Sequence, residues 1–164
     1  MAVYSLKSVQ RIPVPVTEIW DFFSSPQNLP DLTPSTLGFK VISKHHGPKI
    51  YQGQVIEYKV SPLFGIPLYW MTEITHVDPL KYFVDEQRYG PYSMWHHQHH
   101  FRPIEGGVEM TDIVHYKNPL WILGDIANTI IVKKKLQEIF GFRYDAVAKR
   151  FGKWPGEEMM LEFS

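Results

Sequence analysis

Apolar positions along the chain alternate between two periods, and the breaks between them outline the elements. Residues 4–13 alternate as a strand does. VTEIWDFFSS follows, with Ile19, Trp20, Phe22 and Phe23 on one helical face and Thr17 placed to cap it. SSPQNLPDLTP predicts a second short helix, with Ser25 as cap, Pro26 in its first turn, and Leu29 and Leu32 as buried contacts. From Leu37 the chain turns to β-branched and aromatic residues. Strands are predicted at 38–43, 50–59, 68–77, 81–88, 94–103 and 108–117, separated by the turn sequences HHGPK, SPLFGIP, VDPL, RYGPYS and IEGG.

Prolines recur from Pro13 to Pro119 and then stop until Pro155, leaving one interval in which a long helix fits. There Ile122, Leu123, Ile126, Ala127, Ile130, Ile131, Leu136, Ile139, Phe140, Tyr144, Val147, Ala148 and Phe151 recur at helical spacing. Gly124 and Gly141 interrupt the pattern, and Gly152 stands as a stop. The predicted helix runs from about 119 to 151. Strand, two short helices, six strands and one long helix make an α+β chain. Its apolar faces are best buried if a seven-stranded, curved antiparallel sheet wraps the C-terminal helix. A curved sheet holding one helix leaves space between them, which is the candidate site.

Length and composition narrow the reading. The 164 residues fit a single domain at 1–152, with 153–164 as a loosely docked tail. Seventeen basic residues balance 17 acidic ones, so no overall positive field favours nucleic acid. The absence of cysteine excludes a thiol nucleophile, a disulfide framework and thiolate metal sites. No apolar run reaches the length of a membrane span and the start does not read as a signal peptide. A soluble, cytoplasmic protein without integral membrane association is expected.

EIWDFFSSPQNLPDLTP near the start, GPYSMWHHQHHF before the last hairpin and MTDIVHYKNP after it resemble the SRPBCC superfamily. This superfamily comprises the helix-grip proteins that include START lipid-binding domains, birch-pollen-allergen-like proteins and polyketide cyclases. The likeness covers about residues 4–152 and is nearest to a bacterial ligand-binding branch. It implies a helix-grip fold and a cavity more than it implies an activity.

MWHHQHHF carries the candidate chemistry. On a strand Trp95, His97, His99 and Phe101 share one face, and His96, Gln98 and His100 the other. The two large aromatics mark the first set as interior. With IEGG as a four-residue connection, Pro103 faces Val108. Trp95 then faces Tyr116, His97 faces Val114, His99 faces Asp112 and Phe101 faces Met110; a two-residue loop would slip these partners but keep the faces, and a three-residue loop would reverse them. His99 and Asp112 thus form a buried imidazole–carboxylate pair, read as a ligand anchor, a general base with its orienting carboxylate, or a structural hydrogen bond.

On the preceding strand the resemblance favours Phe83, Asp85 and Gln87 as inward. Trp70 is counted with the cavity lining, although the inward face of 68–77 is open from the sequence. Glu73 would be functional if buried and a plain strand charge if exposed. Zinc usually takes three or four ligands, and a third would have to come from Asp85, Asp112 or Glu73, so neither metal nor cofactor is expected. Lys133–Lys135 read as a solvated helix side, and Trp121, Ile122 and Leu123 as core or rim.

The expected function is binding of a small, largely hydrophobic molecule between sheet and helix. Trp95, Phe101 and Tyr116 would supply apolar contact, and His97, His99 and Asp112 polar contact. Two alternatives are carried from the resemblance. One is a cyclase- or dehydratase-like enzyme moving a proton through His99 and Asp112. The other is a protein-interaction module related to chaperone-ATPase activators.

Overall fold

The structure is a computed structural model that describes residues 2–43, 47–61, 66–118 and 125–164, the side chains of 125–129 excepted. Strand β1 (Tyr4–Ile12) leads into helix α1 (Val16–Phe23), then a 3-10 helix (Pro26–Leu32) and a short 3-10 turn (Ser35–Leu37). Strands β2 (Lys40–Val41), β3 (Val55–Val60), β4 (Leu68–Asp78), β5 (Tyr82–Tyr89), β6 (Met94–Ile104) and β7 (Gly107–Lys117) follow. Helix α2 (Asp125–Phe151) and strand β8 (Met160–Phe163) complete the chain. One antiparallel sheet has the order β2-β3-β4-β5-β6-β7-β1-β8. The expected helix-grip arrangement is therefore present, with eight strands in place of seven.

The added strand lies in the segment read as a tail. Met160–Phe163 pair antiparallel with β1, and Leu161 and Phe163 pack against the cluster of Leu6, Val114, Tyr116 and Leu136. Glu157 accepts the backbone N–H of Arg11 at 3.0 Å. Alternation of Leu161 and Phe163 with Met160 and Glu162 was the available signal, but four residues are too few to stand out.

Other boundaries also differ. The strand expected from residue 50 begins at Val55, because Gly53 adopts φ +87° and its N–H bonds Ile74 O at 2.7 Å, making a turn of residues 51–54. The strand expected at 38–43 shrinks to Lys40–Val41. Helix α1 starts at Val16 behind Pro15 without a side-chain cap, so Thr17 lies inside it. Ser25 does not cap either; its hydroxyl donates to Pro48 O at 2.7 Å. Gly152 ends α2 as expected, with φ +98° and its N–H on Ala148 O. The expected helix start at Pro119, the Gly124 interruption, the Trp121–Leu123 rim and parts of the HHGPK and SPLFGIP turns lie outside the described residues.

Register is decisive for the site. Pro103 faces Val108 and Ile104 faces Gly107 around a Glu105–Gly106 turn, which aligns Trp95 with Tyr116, His97 with Val114, His99 with Asp112 and Phe101 with Met110. Register shifts in the β4–β5 ladder, between Met71 and Thr72 and between Ile74 and His76, curl that half of the sheet. Val132, Leu136, Phe140, Tyr144 and Val147 of α2 are buried at spacings of three and four residues. Beneath one end, Ile12, Ile19, Phe22, Phe23, Phe101 and Val147 close the core. Toward the other end a gap remains between helix and sheet.

Candidate functional site

That gap is a cavity of about 220 Å³. Leu29, Leu32 and Leu37 from the 3-10 segments, Ile56 and Tyr58 from β3, and Ile139 and Phe140 from α2 supply apolar walls. Six of the ten sequence-selected residues line it: Trp70, Phe83, Asp85, Trp95, His97 and His99. The inward face of β4 is thereby settled as Leu68, Trp70, Thr72 and Ile74. Glu73 points outward and pairs with Arg88 at 2.7 Å, a strand charge.

The other four stand off the lining. Phe101 is buried against Trp20, Phe23 and Phe83, and Tyr116 belongs to the cluster around Leu6 and Leu136. Gln87 braces the turn before β6, donating to Tyr92 O at 2.6 Å and accepting Tyr92 N–H at 3.2 Å. Asp112 lies behind the two histidines and faces Ser8, Gln10 and Arg143 on its far side. It supports the polar patch rather than forming its surface.

The patch is a connected network. His97 Nε2–H donates to Asp112 Oδ1 at 3.0 Å, and His99 Nε2–H donates to Asp85 Oδ2 at 2.9 Å. Arg143 Nη2 reaches His99 Nδ1 at 3.1 Å and Asp112 Oδ1 at 3.2 Å. His99 Nδ1 also lies 2.8 Å from Asp112 Oδ1, so the ring spans the two carboxylates. The two rings lie 3.8 Å apart, His99 stacks on Phe83 at 4.1 Å, and the Arg143 guanidinium lies 5.0 Å over Phe23.

Burial decides the protonation of His97: loss of water, together with the adjacent His99, pulls its pKa down to about 4 despite Asp112 and Asp85. Burial alone would raise both carboxyls. The hydrogen bond from His99, with the charges around it, holds Asp85 below its ordinary value. Arg143, His97 and His99 hold Asp112 well below. His97 is consequently a neutral imidazole whose Nδ1 opens on the cavity.

Arg143 was missed by the sequence reading. It falls three residues after Phe140 and four before Val147, on the apolar stripe of α2, and a charged residue on such a stripe was the available signal. Tyr58 was missed too. It shares the inward face of β3 with Ile56 and Val60, and its hydroxyl bonds Thr72 Oγ1 at 2.6 Å inside the cavity. Asp85, His97 and His99 bring metal-capable atoms within 4.8 Å of one another, so the third ligand that β6 alone lacks is at hand in β5. On the opposite face His96, Gln98 and His100 form a separate half-exposed chain of bonds with Glu86.

A family model described as "Polyketide cyclase / dehydrase and lipid transport" matches residues 12–137. No curated protein matches by sequence. Among solved structures, the ZhuI aromatase/cyclase from Streptomyces sp. R1128 superposes with a TM-score of 0.71 at 12% identity, covering 96% of this chain and 100% of that one. A START superfamily protein from Mycobacterium smegmatis gives 0.65 at 11% identity, covering 90% and 97%. The major latex-like protein 151 of Panax ginseng gives 0.65 at 13% identity, covering 91% and 97%. At such identities these likenesses show the fold. No helix among the described residues is long and apolar enough to cross a membrane.

Proposed function

The chain belongs to the polyketide cyclase / dehydrase and lipid transport family, and from that premise we propose that it binds a small, largely apolar molecule in the cavity between sheet and α2. The observation that carries this reading is the cavity itself: aliphatic and aromatic walls with polar groups gathered at one place, Asp85, His97 and His99. At about 220 Å³ it is smaller than the ~300–1,000 Å³ of pockets for drug-sized ligands, so the occupant is compact.

An enzyme of the cyclase or dehydratase kind is the second reading. His97 supports it, because Asp112 holds the proton on Nε2 and turns the Nδ1 lone pair to the cavity, the arrangement of an oriented general base. Its basicity weighs against it. A group with a pKa near 4 is a weak proton acceptor at neutral pH, whereas a catalytic base works best near the operating pH. It remains a good hydrogen-bond acceptor, which is what binding requires. The interaction-module reading finds less support, since it called for a filled core.

Native mass spectrometry on gently purified protein, with extraction of any retained molecule, tests the proposal. A neutral solvatochromic dye such as Nile red, titrated into the protein, supplies the second measurement. Saturable one-to-one dye binding that is displaced by the extracted molecule is expected. No retained molecule and no saturable dye binding would refute it. Conversion of the extracted molecule on incubation would favour the enzyme.

A further inference from the structure

At the polar end of the cavity two acceptors lie side by side. Arg143 Nη2 reaches His99 and Asp112, His97 Nε2–H donates to Asp112, and His99 contacts Asp85 through Nε2 and Asp112 through Nδ1. Among the described residues no donor reaches His97 Nδ1, and Asp85 receives a single hydrogen bond although a carboxylate has room for about four. The two acceptors are neighbours, with His97 Nδ1 3.6 Å from Asp85 Oδ2.

Charge points the same way. Asp85, held below its ordinary pKa, brings an ionised carboxylate to the cavity wall. The other cation at the cavity, Lys135, is paired with Glu138 at 2.8 Å. Close by, Trp70, Tyr92 and Trp95 contact one another at 4.9–5.7 Å between ring centroids, and Trp95 stands edge-on to His97 at 6.0 Å. Aromatic faces attract a cation and repel an anion.

We propose that the molecule bound in this cavity is a compact apolar compound ending in a protonated amine, whose ammonium N–H groups bridge His97 Nδ1 and Asp85. The inference rests on the reading of the cavity as a binding site and names the chemical class it takes. A carboxylate in the same place would set a second anion against Asp85.

The test is a matched series in isothermal titration at pH 7: 4-phenylbutylamine, 4-phenylbutanol and 4-phenylbutyrate. A charge-assisted hydrogen bond to a buried carboxylate makes the amine bind about tenfold or more tighter than the alcohol, with the carboxylate weakest. Asp85→Asn should bring the amine to within about threefold of the alcohol. Should that variant not fold, the order of the three compounds on the natural protein decides alone. Butyrate binding as tightly as the amine, or an amine advantage that survives Asp85→Asn, overturns the proposal. So does one equivalent of a transition metal in untagged protein that is lost in His97→Ala, since that ion would occupy the same atoms. If none of the compounds nor the dye binds, the cavity is not a binding site, and both readings fall together.

Discussion

Arg143 is the residue on which the buried network turns, and replacing it with methionine isolates its charge. Its side chain and that of Asp112 are only 13% and 7% exposed, so the pair interacts largely out of water. At the 3.2 Å separation of Arg143 Nη2 and Asp112 Oδ1, two unit charges attract by about 5 kcal/mol at an effective dielectric of ~20. Methionine keeps most of the apolar stem against Phe23 and Phe140 and avoids the desolvation of a guanidinium. The net loss is then about 3–5 kcal/mol, the usual cost of leaving one buried charge unpaired.

The pH dependence makes this specific. Without Arg143, two carboxylates face two imidazoles, and the imidazoles become the available cations, so a histidine pKa rises above its unfolded value. A raised pKa contributes stability that is present below the unfolded value of ~6.5 and lost as pH rises through the folded one. The natural protein behaves oppositely, because its depressed His97 sheds stability as pH falls. The gap between the two proteins should shrink from about 3 kcal/mol or more at pH 8 to about 1 kcal/mol near pH 5.5. Urea unfolding followed by tryptophan fluorescence at both values measures it. A deficit under ~1 kcal/mol at pH 8, or one equal at both pH values, would refute the account of Arg143 as the compensating charge.

Three further outcomes are expected. In the natural protein, stability should fall by on the order of 3 kcal/mol between pH 6.5 and 4, because the unfolded state binds a proton that folded His97 refuses until about pH 4. His97→Gln should flatten that slope in the same urea series. Asp112→Asn should fold and weaken binding of the retained molecule by ~1.5–3 kcal/mol in titration, since the His97 tautomer loses its orienting charge; intact binding with turnover reduced by orders of magnitude would identify an enzyme instead. Deleting residues 159–164 removes β8 and the contacts of Leu161 and Phe163, and should cost roughly 1–3 kcal/mol by chemical denaturation. No change would show that the eighth strand is not docked in solution.

The histidine strand was legible because strand parity is a two-state question and Trp95 and Phe101 answered it. Once β6 faced inward, the hairpin to β7 left few registers, and the turn at Glu105–Gly106 selected the one that puts Asp112 opposite His99. Parity says which face a side chain takes, however, and not how it turns. His97 faces Val114 by register yet reaches diagonally to Asp112, while His99, opposite Asp112, gives its proton to Asp85. Arg143 meets His99 Nδ1 from an element 44 residues later, while the same nitrogen keeps its 2.8 Å contact with Asp112. Periodicity read along one element cannot report a contact between a helix and a strand. Parity likewise left Phe101, Gln87 and Tyr116 grouped with the lining although their side chains are consumed by the core or by a turn.

This arrangement also bears on why a cavity of this kind holds a histidine with so little basicity. Both imidazoles reach Asp112, and His99 Nε2 also gives Asp85 its hydrogen bond. Among the described residues no donor reaches His97 Nδ1 at the cavity wall. Its pKa near 4 keeps that lone pair unprotonated across the neutral range, so the acceptor is present whenever the carboxylates are ionised. A histidine nearer its ordinary value would be partly cationic at neutral pH and would repel the donor that Asp85 attracts. The depressed His97 pKa and the Asp85 carboxylate beside it therefore act in one direction, toward a ligand that brings its own hydrogens.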